Sequence, residues 1–183
     1  IDTYYSLVAK EAVVAGASIV NDISAGSMDA EMISTVASLN VPYVLMHMQG
    51  TPQTMQNEPV YENVTKEKLD FFIQKTAEFK KAGIKDIVVD LGFGFGKTIQ
   101  HNFELLRNLS VFKMLNCPVL LGISRKSFIY KTLNVSVEDS LNGTTALHFA
   151  GLTNGASILR VHDVKEAKEA ITLYMAYKKA SAC

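Results

Sequence analysis

The sequence predicts an α/β protein built on a parallel β-sheet, and three observations lead to that prediction. Short apolar runs alternate with helical stretches along the whole chain. The runs are rich in β-branched residues or leucine and lack internal charge, as is typical of strands buried on both faces. A glycine separates helix from strand at Gly16, Gly83 and Gly155, where it can cap the helix. Strict alternation of strands and helices favours parallel strands.

Five complete strands and six helices follow one another in this pattern. The strands are predicted at residues 18–22, 43–48, 87–90, 119–123 and 157–161. The helices are predicted at residues 6–15, 30–39, 64–82, 102–114, 138–154 and 164–179. Ile1 and Asp2 are expected to be the end of a further strand. No linker or low-complexity segment divides the chain, so residues 1–183 are predicted to form one domain.

A polar residue or cluster lies at the end of every predicted strand, which favours a (β/α)₈ barrel over an open sheet. An open sheet gathers its site at one switch point, whereas a barrel collects residues from most of its strands. The clusters are Asp2, Asn21 with Asp22, His47, Asp90, residues 124–127, and Arg160 with His162. We therefore expect a barrel that lacks roughly its first two and a half strands. The start at Ile1, without a methionine, fits a strand that has been cut open.

Composition narrows the classes of function. Eighteen basic and eighteen acidic residues give no net charge, so nothing favours nucleic acid or an anionic membrane as a partner. No apolar stretch is long enough to span a bilayer. Cys117 and Cys183 form neither a disulfide nor a zinc pattern, and a reducing cytoplasm is the expected location. Residues 49–63 form a long polar loop, which we expect to be functional.

The segment DLGFGFGKT at residues 90–98 lacks the glycine spacing of a phosphate loop, because position 91 is leucine, and of a dinucleotide-binding motif. Its glycines instead predict a tight turn that lets backbone or rings approach a ligand. Phe95 could line that site or fill the core. Asp90 ends an apolar run, and it either binds the ligand or caps the loop through backbone amides.

Cations cluster after the last two strands. Residues 124–128, SRKSF, place two cations and two serines before a helix-like stretch, where backbone amides can help to bind an anion. Arg160 and His162 lie on one side of the last strand end and are predicted to bind an anion as well. His47 lies between two methionines and is predicted to be a packing residue. No His-Glu-x-x-His spacing occurs, so we expect no metal site built by this chain.

These stretches closely resemble the dihydropteroate synthase family of pterin-binding enzymes. The matching segments run in order from end to end: IDTYYSLVAKEAV, GASIVNDISAG, VPYVLMHMQGTPQTMQ, DLGFGFGKTIQHNFELL, PVLLGISRKSFI and SILRVHDV. The family often has proline where this chain has Leu91, a departure that we expect to be harmless. The family's N-terminal third is absent, including the loops that meet magnesium and pyrophosphate and that help to cover p-aminobenzoate.

The resemblance implies a transferase that joins p-aminobenzoate to 6-hydroxymethyl-7,8-dihydropterin pyrophosphate and releases pyrophosphate. It also implies Mg²⁺ as a cofactor whose protein ligand lies outside this chain, small-molecule substrates as partners, and a homodimer. The implied pterin site consists of Asp2, Asn21, Ile23, Met46, Asp90, Phe95, Lys126 and Arg160. Arg160 and His162 are implied to bind pyrophosphate, and Arg125, Ser127 and Phe95 to bind p-aminobenzoate. Lys126, Arg160 and His162 are the implied catalytic residues.

Two rival functions stay open. Pterin-binding methyltransferase domains share the strand-end Asp and Asn pattern, but they have no use for a benzoate site and would not be expected to show the SRKSF cluster. The second rival function is that of a non-catalytic fragment, which binds pterin without turnover because the first strands are absent. This chain alone is expected to be inactive.

Overall fold

The computed structural model describes residues 1–48 and 60–180. Five parallel strands form one sheet, in which strand order follows chain order. They are β1 Val20–Asp22, β2 Tyr43–Met46, β3 Ile87–Asp90, β4 Val119–Leu121 and β5 Ile158–Leu159. The helices are α1 Ser6–Val14, α2 Met32–Leu39, α3 Val64–Lys81, α4 Ile99–Arg107, α5 Ser127–Leu133, α6 Leu141–Thr153 and α7 Val164–Lys179. No helix in these two ranges has the length and hydropathy needed to cross a bilayer.

Asp2 extends the sheet beyond β1. It forms an isolated parallel bridge with Asn21, and Thr3 N donates to Asn21 O at 3.0 Å. Six segments of chain therefore run side by side in one direction, as predicted for an α/β protein with a parallel sheet. All their carboxyl ends lie at the same edge of the sheet.

The three central strands are almost entirely buried, which is why their sequences carry no internal charge. Tyr43, Leu45, Val89 and Leu121 have no exposed surface and pack against the buried faces of the helices. The Tyr43 hydroxyl donates to Asp22 Oδ2 at 2.6 Å, so both buried polar groups have a hydrogen-bond partner.

The cap residues explain where the helices begin and end. The Asn63 side chain accepts from Lys66 N, and the Thr98 side chain accepts from His101 N, at the starts of α3 and α4. Gly16, Gly83 and Gly155 have φ values of 110°, 103° and 111°, which confirms the predicted glycine ends of α1, α3 and α6.

Several predicted boundaries were wrong. The helix predicted at 102–114 begins earlier, at the Thr98 cap, and ends at Arg107, after which Leu109–Leu115 forms a 3₁₀ helix. The strands predicted at 18–22, 43–48, 119–123 and 157–161 are shorter. Pairing begins only at Val20 in β1, whereas in β2, β4 and β5 it stops before the predicted carboxyl end. The bounds predicted for β3 and α7 are correct. Most of the long polar loop, residues 49–59, lies outside the described residues, as does Cys183.

Candidate active site

A cavity of about 310 Å³ opens at the carboxyl ends of the strands. Its lining residues come from the ends of β1 to β5: Ile23, Met46, Asp90, Phe95, Gly122, Ser124, Lys126, Arg160, Val161 and His162. The cavity thus brings together seven of the side chains that the sequence had placed in a ligand site. Carboxyl ends of parallel strands are where α/β proteins bind small molecules.

Asp90 is the buried carboxylate of the site. It ends β3, and only 7% of the residue is exposed. Its Oδ1 accepts from Gly92 N at 2.8 Å, whereas Oδ2 has no hydrogen bond to any described residue. Burial raises the pKa of this carboxyl group, and the Gly92 amide and the nearby Lys126 act in the opposite direction. The two structural roles considered for Asp90, loop cap and ligand acceptor, are therefore compatible, since each can use a different oxygen.

Lys126 reaches the cavity from the residue directly before α5. Its ammonium group donates to Phe93 O and lies 4.7 Å from the centre of the Phe95 ring. Burial lowers its pKa to about 8, an effect that the Asp90 carboxylate partly opposes. Lys126 is therefore a cation at neutral pH, beside the one buried carboxylate of the cavity.

Arg160 and His162 occupy the exposed rim. Arg160 Nη2 lies 2.8 Å from Asp2 Oδ2, and Asn21 Nδ2 donates to Asp2 Oδ1 at 2.8 Å. The backbone amide of His162 donates a hydrogen bond to Ser124 Oγ at 3.3 Å. Asp2 and Asn21 do not line the main cavity, but this chain of contacts links them to it through Arg160.

The glycine turn after β3 is held by a lysine that the sequence analysis did not assign. Lys97 Nζ donates to Gly92 O at 2.6 Å and to Phe95 O at 2.8 Å. A Cβ atom at Gly92 would lie 2.3 Å from His47 O, and φ there is +64°, so only glycine fits. The turn sets Phe95 at the cavity, while Phe93 is fully buried in the core.

A second buried lysine lies next to this turn. Lys68 is fully buried on α3, and its side-chain nitrogen contacts His47 Nδ1 and donates to the Tyr61 hydroxyl at 3.0 Å. Burial, with Lys97 nearby, lowers the pKa of Lys68 to about 5. His47 also packs edge-on against Phe71, as expected for a packing residue, and burial lowers its pKa to about 3. The sequence signal was available, because Lys68 lies four residues after Val64 and four before Phe72 on the buried face.

Arg125 and Ser127 do not line the cavity. Ser127 begins α5, directly after Lys126. Arg125 instead forms an ion pair with Asp163, with Nε 2.8 Å from Oδ2 and Nη2 2.9 Å from Oδ1. The contact of Arg125 and Ser127 with p-aminobenzoate stays a prediction.

A parallel α/β sheet with the buried Asp90 carboxylate and several cations at its carboxyl edge suits an enzyme that binds a small molecule with a donor-rich end and an anionic end. The family model described as "Pterin binding enzyme" matches residues 1–162, so this chain belongs to that family.

Two similar proteins are dihydropteroate synthases. The one from Haemophilus influenzae is 40% identical over 182 residues, which cover 98% of this chain and 66% of the relative. The one from Escherichia coli K12 is 42% identical over 173 residues, which cover 93% and 61%. This chain therefore spans 61–66% of the length of these curated relatives.

Solved structures of dihydropteroate synthases are also similar to this chain. The crystal structure of dihydropteroate synthase from Stenotrophomonas maltophilia, with imidazole in its active site, has a TM-score of 0.95 at 36% identity, covering all of this chain and 69% of that one. The Xanthomonas albilineans enzyme in complex with 7,8-dihydropteroate has a TM-score of 0.90 at 35% identity, covering 98% and 66%.

Proposed function

We propose that this chain carries the pterin and pyrophosphate sites of a dihydropteroate synthase. That enzyme joins p-aminobenzoate to 6-hydroxymethyl-7,8-dihydropterin pyrophosphate and releases pyrophosphate. The observation on which the proposal rests is the single cavity that brings Asp90, Lys126, Arg160 and His162 together. A ligand with a donor-rich edge at one end and an anion at the other suits such a set of side chains.

The pterin end is assigned to Asp90 and Lys126. A pterin presents an amino group and a ring N–H side by side, and a carboxylate can accept from both. Asp90 Oδ2 has no other partner among the described residues, which supports this role. Lys126 can donate to the pterin carbonyl and a ring nitrogen, and Ile23, Met46 and Phe95 offer apolar contacts to the ring faces. Asn21 and Asp2, at the rim, complete the proposed pterin set.

The pyrophosphate end is assigned to Arg160 and His162, with the backbone amides that open α7. In the proposed reaction the methylene C–O bond breaks, and its electron pair leaves with pyrophosphate. The resulting cation is delocalised over the pterin ring. The nitrogen of p-aminobenzoate then forms the new C–N bond and loses a proton. Lys126, Arg160 and His162 act by stabilising the leaving anion and by fixing the two rings.

No covalent intermediate with the protein is needed. Cys117, one of the chain's two cysteines, lies directly before Pro118 and β4, at the opposite end of the strands from the cavity. Burial raises the pKa of its thiol, which does not favour a nucleophile.

The proposal extends to an eight-stranded barrel. Strand order follows chain order without the reversal found in doubly wound sheets, and every strand end faces one cavity. The homodimer and the cytoplasmic location also stay proposals, as do the contacts of Ser127, Arg125 and Phe95 with p-aminobenzoate.

Magnesium is proposed only as a cofactor of the reaction. Among residues 1–48 and 60–180, no group of three His, Cys, Asp or Glu side chains could bind a metal ion. Asp90 lies among cations, and Asp2 is paired with Arg160. These residues do not fit a magnesium site, and we derive no step through the ion.

The experiment is to incubate residues 1–183 with magnesium and both substrates and to follow pyrophosphate release, with the Escherichia coli relative as the reference. We expect calorimetry to detect pterin pyrophosphate binding, and we expect no turnover, because the chain spans only 61–66% of its relatives. Absence of pterin binding would contradict the site. Turnover at the reference rate would contradict the proposed inactivity of this chain alone.

A further inference from the structure

We propose that Arg125 is a positioning residue that keeps the N-terminus of α7 open for an anion by holding the Asp163 carboxylate away from it. The inference rests on the proposed pyrophosphate role of Arg160 and His162. It concerns pyrophosphate binding only and is separate from the proposed contact of Arg125 with p-aminobenzoate.

The Arg125 guanidinium group makes four hydrogen bonds to protein atoms. Nε and Nη2 form the two parallel bonds to Asp163, and Nη1 donates to Val137 O at 3.0 Å and Glu138 O at 2.6 Å. The two side chains of the ion pair are only 23% and 21% exposed. A two-pronged, half-buried pair of this kind fixes the orientation of the carboxylate as well as its position.

The backbone of Arg125 is also held in an uncommon conformation. Its φ is +51°, in the left-handed region that a non-glycine residue adopts only when its surroundings impose it. The Arg125 amide donates to Thr144 Oγ1 at 3.1 Å, and Lys126 N closes the turn on Ile123 O at 3.0 Å. The loop after β4 is thus shaped so that Arg125 points toward Asp163 while the next residue, Lys126, points into the cavity.

Asp163 is the N-cap residue of α7, yet its side chain makes no cap hydrogen bond. Aspartate at this position ordinarily accepts from amides in the first helical turn and favours the positive end of the helix dipole. Here both carboxylate oxygens accept from Arg125 instead. The first-turn amides therefore receive no acceptor from the cap residue, one position after His162, where the pyrophosphate end of the ligand is proposed.

Without Arg125, the Asp163 carboxylate would be free to cap α7. It would then occupy the first-turn amides and place a negative charge where the anion binds. The ion pair could instead only hold the two loops together, which we call a loop tie. Removing either partner would then weaken binding equally. On the present proposal the free Asp163 carboxylate is the harmful group, so removing Asp163 rescues the loss of Arg125.

The test is calorimetric titration of inorganic pyrophosphate into residues 1–183. The variants compared with the unaltered chain are Arg125→Met, Asp163→Ala and the double variant. Lys131→Met is the control for the loss of one positive charge. We expect Arg125→Met to bind at least tenfold more weakly. Asp163→Ala and the double variant should bind within about threefold of the unaltered chain, and so should Lys131→Met. Melting temperatures show whether each variant is folded.

Equal weakening in all three Arg125 and Asp163 variants would overturn the inference and leave only a loop tie. Unchanged binding in Arg125→Met would overturn it as well. If Arg125→Met fails to fold, Asp163→Ala alone decides, since weaker binding in that variant contradicts the proposal. Absence of pyrophosphate binding by the unaltered chain would instead contradict the proposed anion site, and the inference with it.

Discussion

Arg160 and Asp2 form an ion pair at 2.8 Å although they belong to opposite edges of the sheet. Asp2 pairs alongside β1, and Arg160 directly follows β5. At a spacing of about 4.8 Å, the outer of six flat strands would lie about 24 Å apart. The sheet is therefore strongly curled, and this curl brings both edges to one cavity. The pair is more than half exposed on each side, so it stabilises the fold little and can open for an anion.

Lys126→Ala should weaken the binding of pterin pyrophosphate. The variant loses a charge-assisted hydrogen bond, and such bonds contribute roughly 1.5–3 kcal/mol, or about 10- to 150-fold in Kd. Calorimetry on residues 1–183 measures the change. Lys131→Ala, on the exposed side of the same helix, is the matched control. Equal affinity of the Lys126 variant and the unaltered chain would remove Lys126 from the site.

The same lysine should make pterin binding pH-dependent. Burial lowers the pKa of Lys126 to about 8, so its ammonium group is charged below that pH and neutral above it. Affinity should therefore fall about tenfold between pH 7 and pH 9, as the charged fraction falls from about nine tenths to one tenth. In Lys126→Arg the guanidinium stays charged throughout, so the profile should be flat over this range. Parallel profiles for the two proteins would contradict the assignment.

Arg160→Gln and His162→Ala should each weaken the binding of inorganic pyrophosphate. Both side chains lie on the rim of the cavity, next to the start of α7. We expect a loss of about tenfold for Arg160→Gln, since a charge-assisted hydrogen bond is removed. A crystal grown in sulfate should show the anion between these two side chains. An anion bound elsewhere, with wild-type affinity in both variants, would rule out the proposed site.

Lys68→Met should stabilise the protein at neutral pH. The pKa of Lys68 falls to about 5 in the folded state, from 10.5 when it is exposed. Between these values the unfolded state binds more protons, so stability falls as the pH is lowered through that window. Lys68 is therefore neutral at pH 7 in the folded state, and methionine removes the cost of deprotonating it. Replacing buried ionisable groups by hydrophobic residues adds roughly 1–4 kcal/mol in favourable cases.

Urea unfolding at pH 7 and pH 9 measures this effect, and the gain should be smaller at pH 9. Lys66→Met, an exposed lysine two residues earlier on α3, is the control and should change stability little. A Lys68 variant less stable than the unaltered chain at pH 7 would show that its contacts with His47 and Tyr61 outweigh the cost of burial.

Strand ends could be predicted from the sequence because a buried parallel strand leaves a simple signal. An uncharged apolar run followed by a polar residue located Asp90 at the end of β3, and the same pattern located Lys126 and Arg160 near the ends of β4 and β5. All three line the one cavity. Their convergence needed only the rule that parallel strands present their carboxyl ends together.

Two buried lysines were missed. Lys68 lies at helical spacing on the buried face of α3, so a signal was available, but its contact with His47 joins residues 21 apart in sequence. Lys97 donates to carbonyls of the adjacent glycine turn, whose geometry depends on the fold. The partner of Arg125 was missed for a similar reason, since Asp163 is 38 residues away in sequence. Local patterns do not encode such pairs.

Asp90 is proposed to recognise the donor edge of a pterin, and Asp90→Asn tests this role most directly. Asparagine can still accept from Gly92 N, so the turn should be retained, but it cannot accept from two donors with a full negative charge. Asp86→Asn, at the other end of the same strand, is the control. The measurement is the Kd of pterin pyrophosphate for residues 1–183 by calorimetry. The expected result is a Kd at least tenfold higher for Asp90→Asn and unchanged for Asp86→Asn. An unchanged Kd for Asp90→Asn would contradict the claim.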